Sequence, residues 1–187
     1  MTLALAGLRA VGALALAGAL LAGCVDAGPP LTLAPSVDLQ RYSGRWYIIA
    51  NIPYFAERGK VGSFFDVSFQ NGAVRDVYWG RDTFTTPYGA FTMNGYVVPD
   101  QRGALWRESP FWPVFLSYPI LYVDPDYRFA LVGYPGREYG WVLSRSPEID
   151  DPTYRALLAR FAAQNYDVSR FRRVPQSPGQ IGQPGFQ

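Results

Sequence analysis

Of the side chains that ordinarily carry enzymatic chemistry, this sequence offers few. It has no histidine among its 187 residues, which removes the Ser-His-Asp arrangement, the usual zinc sites and a His-ligated haem together. A lone cysteine, Cys24, leaves no cysteine pair for a disulfide or a metal. Carboxylates remain, but Asp38, Glu57, Asp82, Asp124, Asp126, Glu148, Asp150 and Asp151 fall in turn-rich stretches or at a helix start, where such residues act as caps and turn formers. Asp66 and Asp76 lie on neighbouring strands and can face each other. Phe65 and Val67 claim the inner face of their strand, however, and put Asp66 in solvent. No glycine-rich phosphate loop follows a strand. The expectation is a protein that is not an enzyme, with no catalytic residue, no metal and no cofactor.

What the chain has in quantity is aromatic side chains, at 16% of residues against 17% charged, where a quarter charged is usual. That balance suits a cavity lined with rings, and equally a surface close to a membrane. Setting aside Arg9 from the 17 basic side chains leaves 16 against 15 acidic ones. A balance so near neutral excludes a nucleic-acid footprint, which needs a strongly basic patch.

Residues 1–23 read as a leader. Arg9 is their only charge, and the Ala/Leu/Gly run from Val11 to Ala22 is short for a hydrocarbon core of roughly 30 Å. It ends in Leu21-Ala22-Gly23-Cys24, which resembles the cleavage junction of a bacterial lipoprotein signal. The resemblance implies diacylglycerol on the Cys24 sulfur and acylation of the freed amine, and two or more chains give stable attachment where one is marginal. Val25 after the cysteine favours the outer membrane, on its periplasmic face, and Asp26 one place later argues the other way. Residues 24–36, rich in Pro, Gly and Ala, read as a tether.

From residue 37 to 175 the chain reads as one domain of short β-like runs separated by turn signals. Strands are expected at Arg45 to Asn51, Ser63 to Phe69, Ala73 to Trp79, Gly89 to Val98, Ala104 to Glu108, Phe115 to Val123, Tyr127 to Tyr134 and Glu138 to Ser144. Asn71-Gly72 is a hairpin signal, Ser109 to Pro113 reads as a loop, and Pro119 belongs at an edge or bulge. The period then changes. Asp151 is the expected N-cap with Pro152 at the first helical position, and Tyr154, Leu157, Leu158 and Phe161 share a helical face. Arg170 to Val174 can form a short last strand. Residues 176–187, Pro/Gly/Gln-rich, read as a disordered tail.

Two motifs bracket this domain: Gly44-Arg45-Trp46 opening the first strand, and Trp141-Val142-Leu143-Ser144-Arg145-Ser146-Pro147 closing the last. Together they resemble the lipocalin family, in which an Arg on the last strand lies across the first-strand Trp. Glu57-Arg58-Gly59, Arg102-Gly103-Ala104-Leu105, Asp126-Tyr127-Arg128 and Asp167-Val168-Ser169-Arg170-Phe171 are similar to the bacterial branch of that family. The resemblance implies an all-β, eight-stranded up-and-down antiparallel barrel with one C-terminal helix packed outside. Gly44, Trp46 and Arg145 form its structural motif. Parity from Trp46 and Arg145 places Ile48, Ala50, Leu143, Trp141 and Tyr139 inward, and the family register adds Phe65, Val67, Tyr118, Ile120, Tyr122, Ala130 and Val132. Barrels of this size occur both filled and open, and the resemblance favours an open calyx. Its expected partners are a hydrophobic small molecule, a fatty acid or lysophospholipid, and the membrane through the lipid anchor, with a homodimer left open. The alternatives are a lipid-directed barrel enzyme using carboxylates such as Asp76, or an envelope stress role with Trp79, Trp106 and Trp112 as an exposed patch.

Overall fold

The computed structural model describes residues 29–187, so the expected leader, Cys24 and the first tether residues lie outside the described residues. A one-turn helix α1 (Leu39–Tyr42) leads into β1 (Gly44–Ile52), β2 (Val61–Gln70), β3 (Ala73–Arg81), β4 (Gly89–Val97), β5 (Leu105–Phe111), β6 (Val114–Val123), β7 (Phe129–Val132) and β8 (Gly140–Ser144). Helix α2 (Asp151–Ala162) and a two-residue β9 (Arg172–Arg173) follow. Each strand pairs antiparallel with the next, β8 pairs with β1, and β1 also pairs with β2, which closes the barrel. β9 extends the sheet along the later half of β1, through Ala50↔Arg173 and Asn51↔Arg172.

Because the strands alternate in direction, the turns at 71–72, 98–104 and 124–128 lie at one end with α1. The loops 53–60, 82–88, 112–113 and 133–139 lie at the other. The first end is the floor. Asp38 caps α1 by accepting from the backbone N–H groups of Gln40 at 2.9 Å and Arg41 at 3.1 Å. Tyr42 at its end is fully buried as a plug. Gly44 then needs a φ of 97°, open to glycine but strained for other residues, to turn the chain into β1.

Two apolar layers result. The inner one fills the lower barrel with Trp46, Ile48, Phe65, Val67, Trp106, Tyr118, Ile120, Val132 and Leu143. The outer one packs Leu157 and Phe161 of α2 against Ile49, Ala50, Ile52, Leu121, Leu131 and Val142. The helix starts one residue earlier than expected: Asp150 is the N-cap, its carboxylate accepting from Thr153 N–H at 2.7 Å, and Asp151 lies in the first turn.

Several expectations are corrected. In β1 the register steps from Ile48↔Leu143 to Ala50↔Val142, leaving Ile49 as an extra residue, so Ala50 lies outside under α2. In β6 it steps from Ile120↔Val132 to Tyr122↔Leu131, and Tyr122 packs against the outer layer with the Arg160 guanidinium 3.8 Å over its ring. Both are β-bulges, which bend and twist a strand as barrel closure demands and flip the parity beyond them. Ser109 to Phe111, expected as loop, continues β5 to a Phe111↔Val114 pair. Residues 176–187 are folded against the barrel: Gln176 Nε2 donates to the Ile48 and Ser63 carbonyls at 2.8 and 3.0 Å, and Gln187 Nε2 to Asn51 Oδ1 at 2.9 Å. The tether is docked from Pro29 onward, with Ala34 buried and its N–H donating to the Ile120 carbonyl at 2.8 Å.

Candidate functional site: the barrel lumen

At the floor, Trp46 Nε1 donates to the Tyr42 carbonyl at 2.7 Å. The Arg145 guanidinium lies 3.8 Å over the Trp46 ring. Its Nη1 donates to the Arg45 carbonyl at 2.6 Å, and its Nη2 to those of Arg41, Tyr42 and Ser43 at 2.7, 3.0 and 3.0 Å. Four carbonyls around the end of α1 are thereby satisfied by one cation, which also suits the negative end of the helix. A Cβ at Gly44 would only touch Nη1, at 3.5 Å, so it is the φ of 97° and not space that calls for glycine here. Gly44, Trp46 and Arg145 therefore meet as a structural unit.

Above the floor stand stacked rings. Tyr118 lies parallel to Trp106 at 4.7 Å, Tyr42 meets Trp106 edge-on at 5.2 Å, and Phe69 meets it at 4.9 Å. Trp106 is thus wholly buried and cannot belong to a surface patch, while Trp79 is half-buried against Phe64. Phe65 contacts Tyr78 at 5.8 Å and Trp141 at 6.5 Å, and Tyr139 stands beside Trp141 near the open end. Of the residues expected on the calyx wall, Ile48, Phe65, Val67, Tyr118, Ile120, Val132, Trp141 and Leu143 share the inner layer. Tyr139 sits in the loop just before β8, and only Tyr122 faces away. Toward the open end the interior meets solvent. Phe91 and Leu116 are placed inward by their pairs Tyr78 and Glu108, yet are 42% and 37% exposed.

Three carboxyl groups inside the barrel were not singled out by sequence as lumen residues. Glu57, read as a turn former, is buried at the open end. Its Oε2 accepts from Asn51 Nδ2 at 2.9 Å, and Trp141 Nε1 donates to Oε1 and Oε2 at 3.0 and 3.1 Å. Burial raises its pKa to about 7 even though the Trp141, Tyr54 and Asn51 donors pull the other way. Asp76 and Glu108 lie deeper, both fully buried. The two Asp76 oxygens and Glu108 Oε1 lack a hydrogen-bond partner among the described residues, as do the hydroxyls of Tyr42 and Tyr118. Burial pushes both carboxyls well above the ordinary range, and nearby carboxylates add to it, Glu57 and Asp66 for Asp76 and Asp76 for Glu108, all favouring the neutral form. Gly95, paired with Glu108 and with Val74, brings β4 against β5 so closely that a Cβ would run into the Arg107 carbonyl. Alternation with Val74 and Trp106 was the available signal for Asp76 and Glu108. For Glu57 it was the Glu57-Arg58-Gly59 motif, since nothing periodic marks the loop.

Chemically, the arrangement is an aromatic and aliphatic barrel interior with three buried carboxyl groups, closed at the floor. Among the described residues, no group of three His, Cys, Asp or Glu side chains could hold a metal ion.

The lipocalin-like domain family model matches residues 37–176. The outer membrane lipoprotein Blc of Escherichia coli (strain K12) is 32% identical over 171 residues, covering 89% of this chain and 96% of that protein. Temperature-induced lipocalin-1 of Arabidopsis thaliana is 28% identical over 157 residues, covering 79% and 83%. Among solved structures, insecticyanin from the tobacco hornworm Manduca sexta superposes with a TM-score of 0.64 at 17% identity, covering 81% of this chain and 87% of that one. The siderocalin Ex-FABP does so at 0.55 and 16%, covering 73% and 95%. At such identities the structural likeness speaks for the fold alone.

Proposed function

The chain belongs to the lipocalin family, and from that premise we propose that its barrel binds the acyl chain of a fatty acid or lysophospholipid. It does so while held by a lipidated Cys24 at the periplasmic face of the outer membrane, carrying or storing lipid for membrane maintenance. The observation that supports this most is the upper barrel: above the floor filled by Trp46, Tyr42, Phe65 and Leu143, the inward-placed Phe91 and Leu116 meet solvent and Trp141 is only half-buried. Each methylene removed from water contributes about 0.8 kcal/mol, so a long chain needs no specific chemistry to be held. Burial favours the neutral form of Asp76 and Glu108, which lessens the charge that would oppose a hydrocarbon tail. The reading is of a binding protein rather than an enzyme, in keeping with its family. The likeness to outer membrane lipoproteins supports the envelope location.

The test is a titration with a long-chain fatty acid and with a lysophospholipid, followed by tryptophan emission in wild type and Trp141→Phe. An acyl chain in the barrel passes Trp141, so the ligand-dependent change should shrink in the variant while affinity persists. If wild type binds neither ligand, or if both proteins respond alike, the chain does not lie in this lumen.

A further inference from the structure

The open end of the barrel carries the most exposed apolar side chains of the described residues. Phe55 on loop 53–60 is 76% exposed, and Phe111 and Trp112 at the β5–β6 tip are 67% and 82% exposed. Val114 and Phe115 continue the tip on its β6 side and are exposed as well. No charged side chain occurs between Ser109 and Val123. The tip is therefore an uncharged aromatic hairpin held up at the rim by the Phe111↔Val114 pair, beyond a register step in β5. Trp and Phe in such a position match the headgroup–acyl boundary of a bilayer, where a ring meets an apolar layer on one side and a wet one on the other. Arg58, exposed three residues after Phe55, adds a cation at the same rim, and a cation near an anionic leaflet is attracted to it.

The route of the N-terminal segment says which end meets the membrane. The Pro29 carbonyl accepts from Arg137 Nη2 at 2.6 Å, and Arg137 lies on loop 133–139 at the open end. From there the chain runs along the outside of the barrel to the floor, where Val37 N–H donates to the Arg102 carbonyl at 2.9 Å. Reaching the floor takes eight residue steps, from Pro29 to Val37. Cys24 lies only five steps before Pro29, a reach of at most about 18 Å when fully extended. A lipid on Cys24 thus holds the open end, and not the floor, against the membrane.

We infer that the barrel docks mouth-down on the bilayer, with Phe55, Phe111 and Trp112 seated at the lipid interface and the lumen opening directly onto it. The orientation rests on the Cys24 anchor proposed above. In this arrangement an acyl chain passes between bilayer and lumen without crossing bulk water, and the rim aromatics are covered rather than left to attract other surfaces.

The experiment uses the mature full chain purified from membranes, its mass measured for the lipid on Cys24. The protein is reconstituted in vesicles of phosphatidylethanolamine and phosphatidylglycerol carrying brominated acyl chains. Tryptophan quenching is compared between wild type and Trp112→Leu, a substitution at an exposed position that leaves the fold in place. Expected is a quenched component in wild type that disappears in Trp112→Leu. A lipid-bearing chain that floats with the vesicles but shows identical quenching in both proteins overturns the orientation and leaves the anchor standing. A mass without lipid overturns the anchor instead. The quenching difference then still decides the docking surface, its absence refuting it.

Discussion

Glu57 gives the sharpest perturbation, because its environment makes opposing demands that can be separated. Three donors point at its carboxyl group: Asn51 Nδ2, Trp141 Nε1 and, at 3.4 Å, the Tyr54 N–H. All three favour the ionised form, yet burial outweighs them and the group titrates near pH 7 instead of 4.5. A carboxyl whose folded pKa is raised stabilises the fold fully below its unfolded pKa and loses that contribution as pH rises through the folded value. The window here is therefore pH 4.5 to 7, and across it the shift corresponds to about 3 kcal/mol. Glu57→Gln keeps the shape and removes the titration. The unfolding free energy of wild type minus that of Glu57→Gln should fall by about that amount between pH 4.5 and 8, measured by urea denaturation at each pH. Asp76 and Glu108 add slope of the same sign to both proteins. The Glu57 charge also raises the Asp76 pKa, so its removal works in the same direction. Emission from Trp141, bonded to the carboxyl, should titrate with a midpoint near 7 in wild type and not in the variant. A wild-type-minus-variant difference that stays flat from pH 4.5 to 8 would refute the argument, because a solvated Glu57 has no reason to move from its ordinary pKa.

Two further outcomes follow from the floor and the outer layer. Trp46→Ala should lower stability by about 3–5 kcal/mol through the cavity it opens beneath Ile48 and Tyr42. Arg145→Ala should also destabilise, since it strands the carbonyls of Arg41, Tyr42, Ser43 and Arg45; variants that melt like wild type would show that the floor does not hold the barrel. Tyr122→Asp should leave acyl-chain affinity unchanged while costing roughly 1–3 kcal/mol of stability, because its ring lies under Arg160 on the outer face. Lost lipid binding in a folded Tyr122→Asp would mean that β6 is not bulged at Leu121.

What the sequence made legible was whatever repeats or is stated locally. Phe65 and Val67 alternate with Asp66 and Ser68, and the structure accordingly sends Asp66 outward to Arg45 at 3.1 Å. The change of period after Ser144 announced α2, and Gly44-x-Trp46 with Arg145 announced the floor. Parity failed at two places, Ile49 and Leu121, where one extra residue turns the strand. Nothing local encodes a bulge, because it answers to the curvature of the closed sheet. Ala50 and Tyr122 were misassigned for that reason, and each ended up supporting the helix rather than the lumen. Composition failed in the tail: Pro, Gly and Gln read as disorder, but the Gln176 and Gln187 amides reach backbone and side-chain groups of β1 more than a hundred residues away. The same limit concealed Glu57. A glutamate in a turn looks like a solvated cap, and only the closed barrel brings Trp141 and Asn51 to it. Bulge, tail and buried carboxyl share one cause, since each is settled by which residues the closed barrel makes neighbours. A barrel variant that opened the β1–β2 seam should therefore disturb all three while leaving the local signatures, the Asn71-Gly72 hairpin and the capped α2, intact.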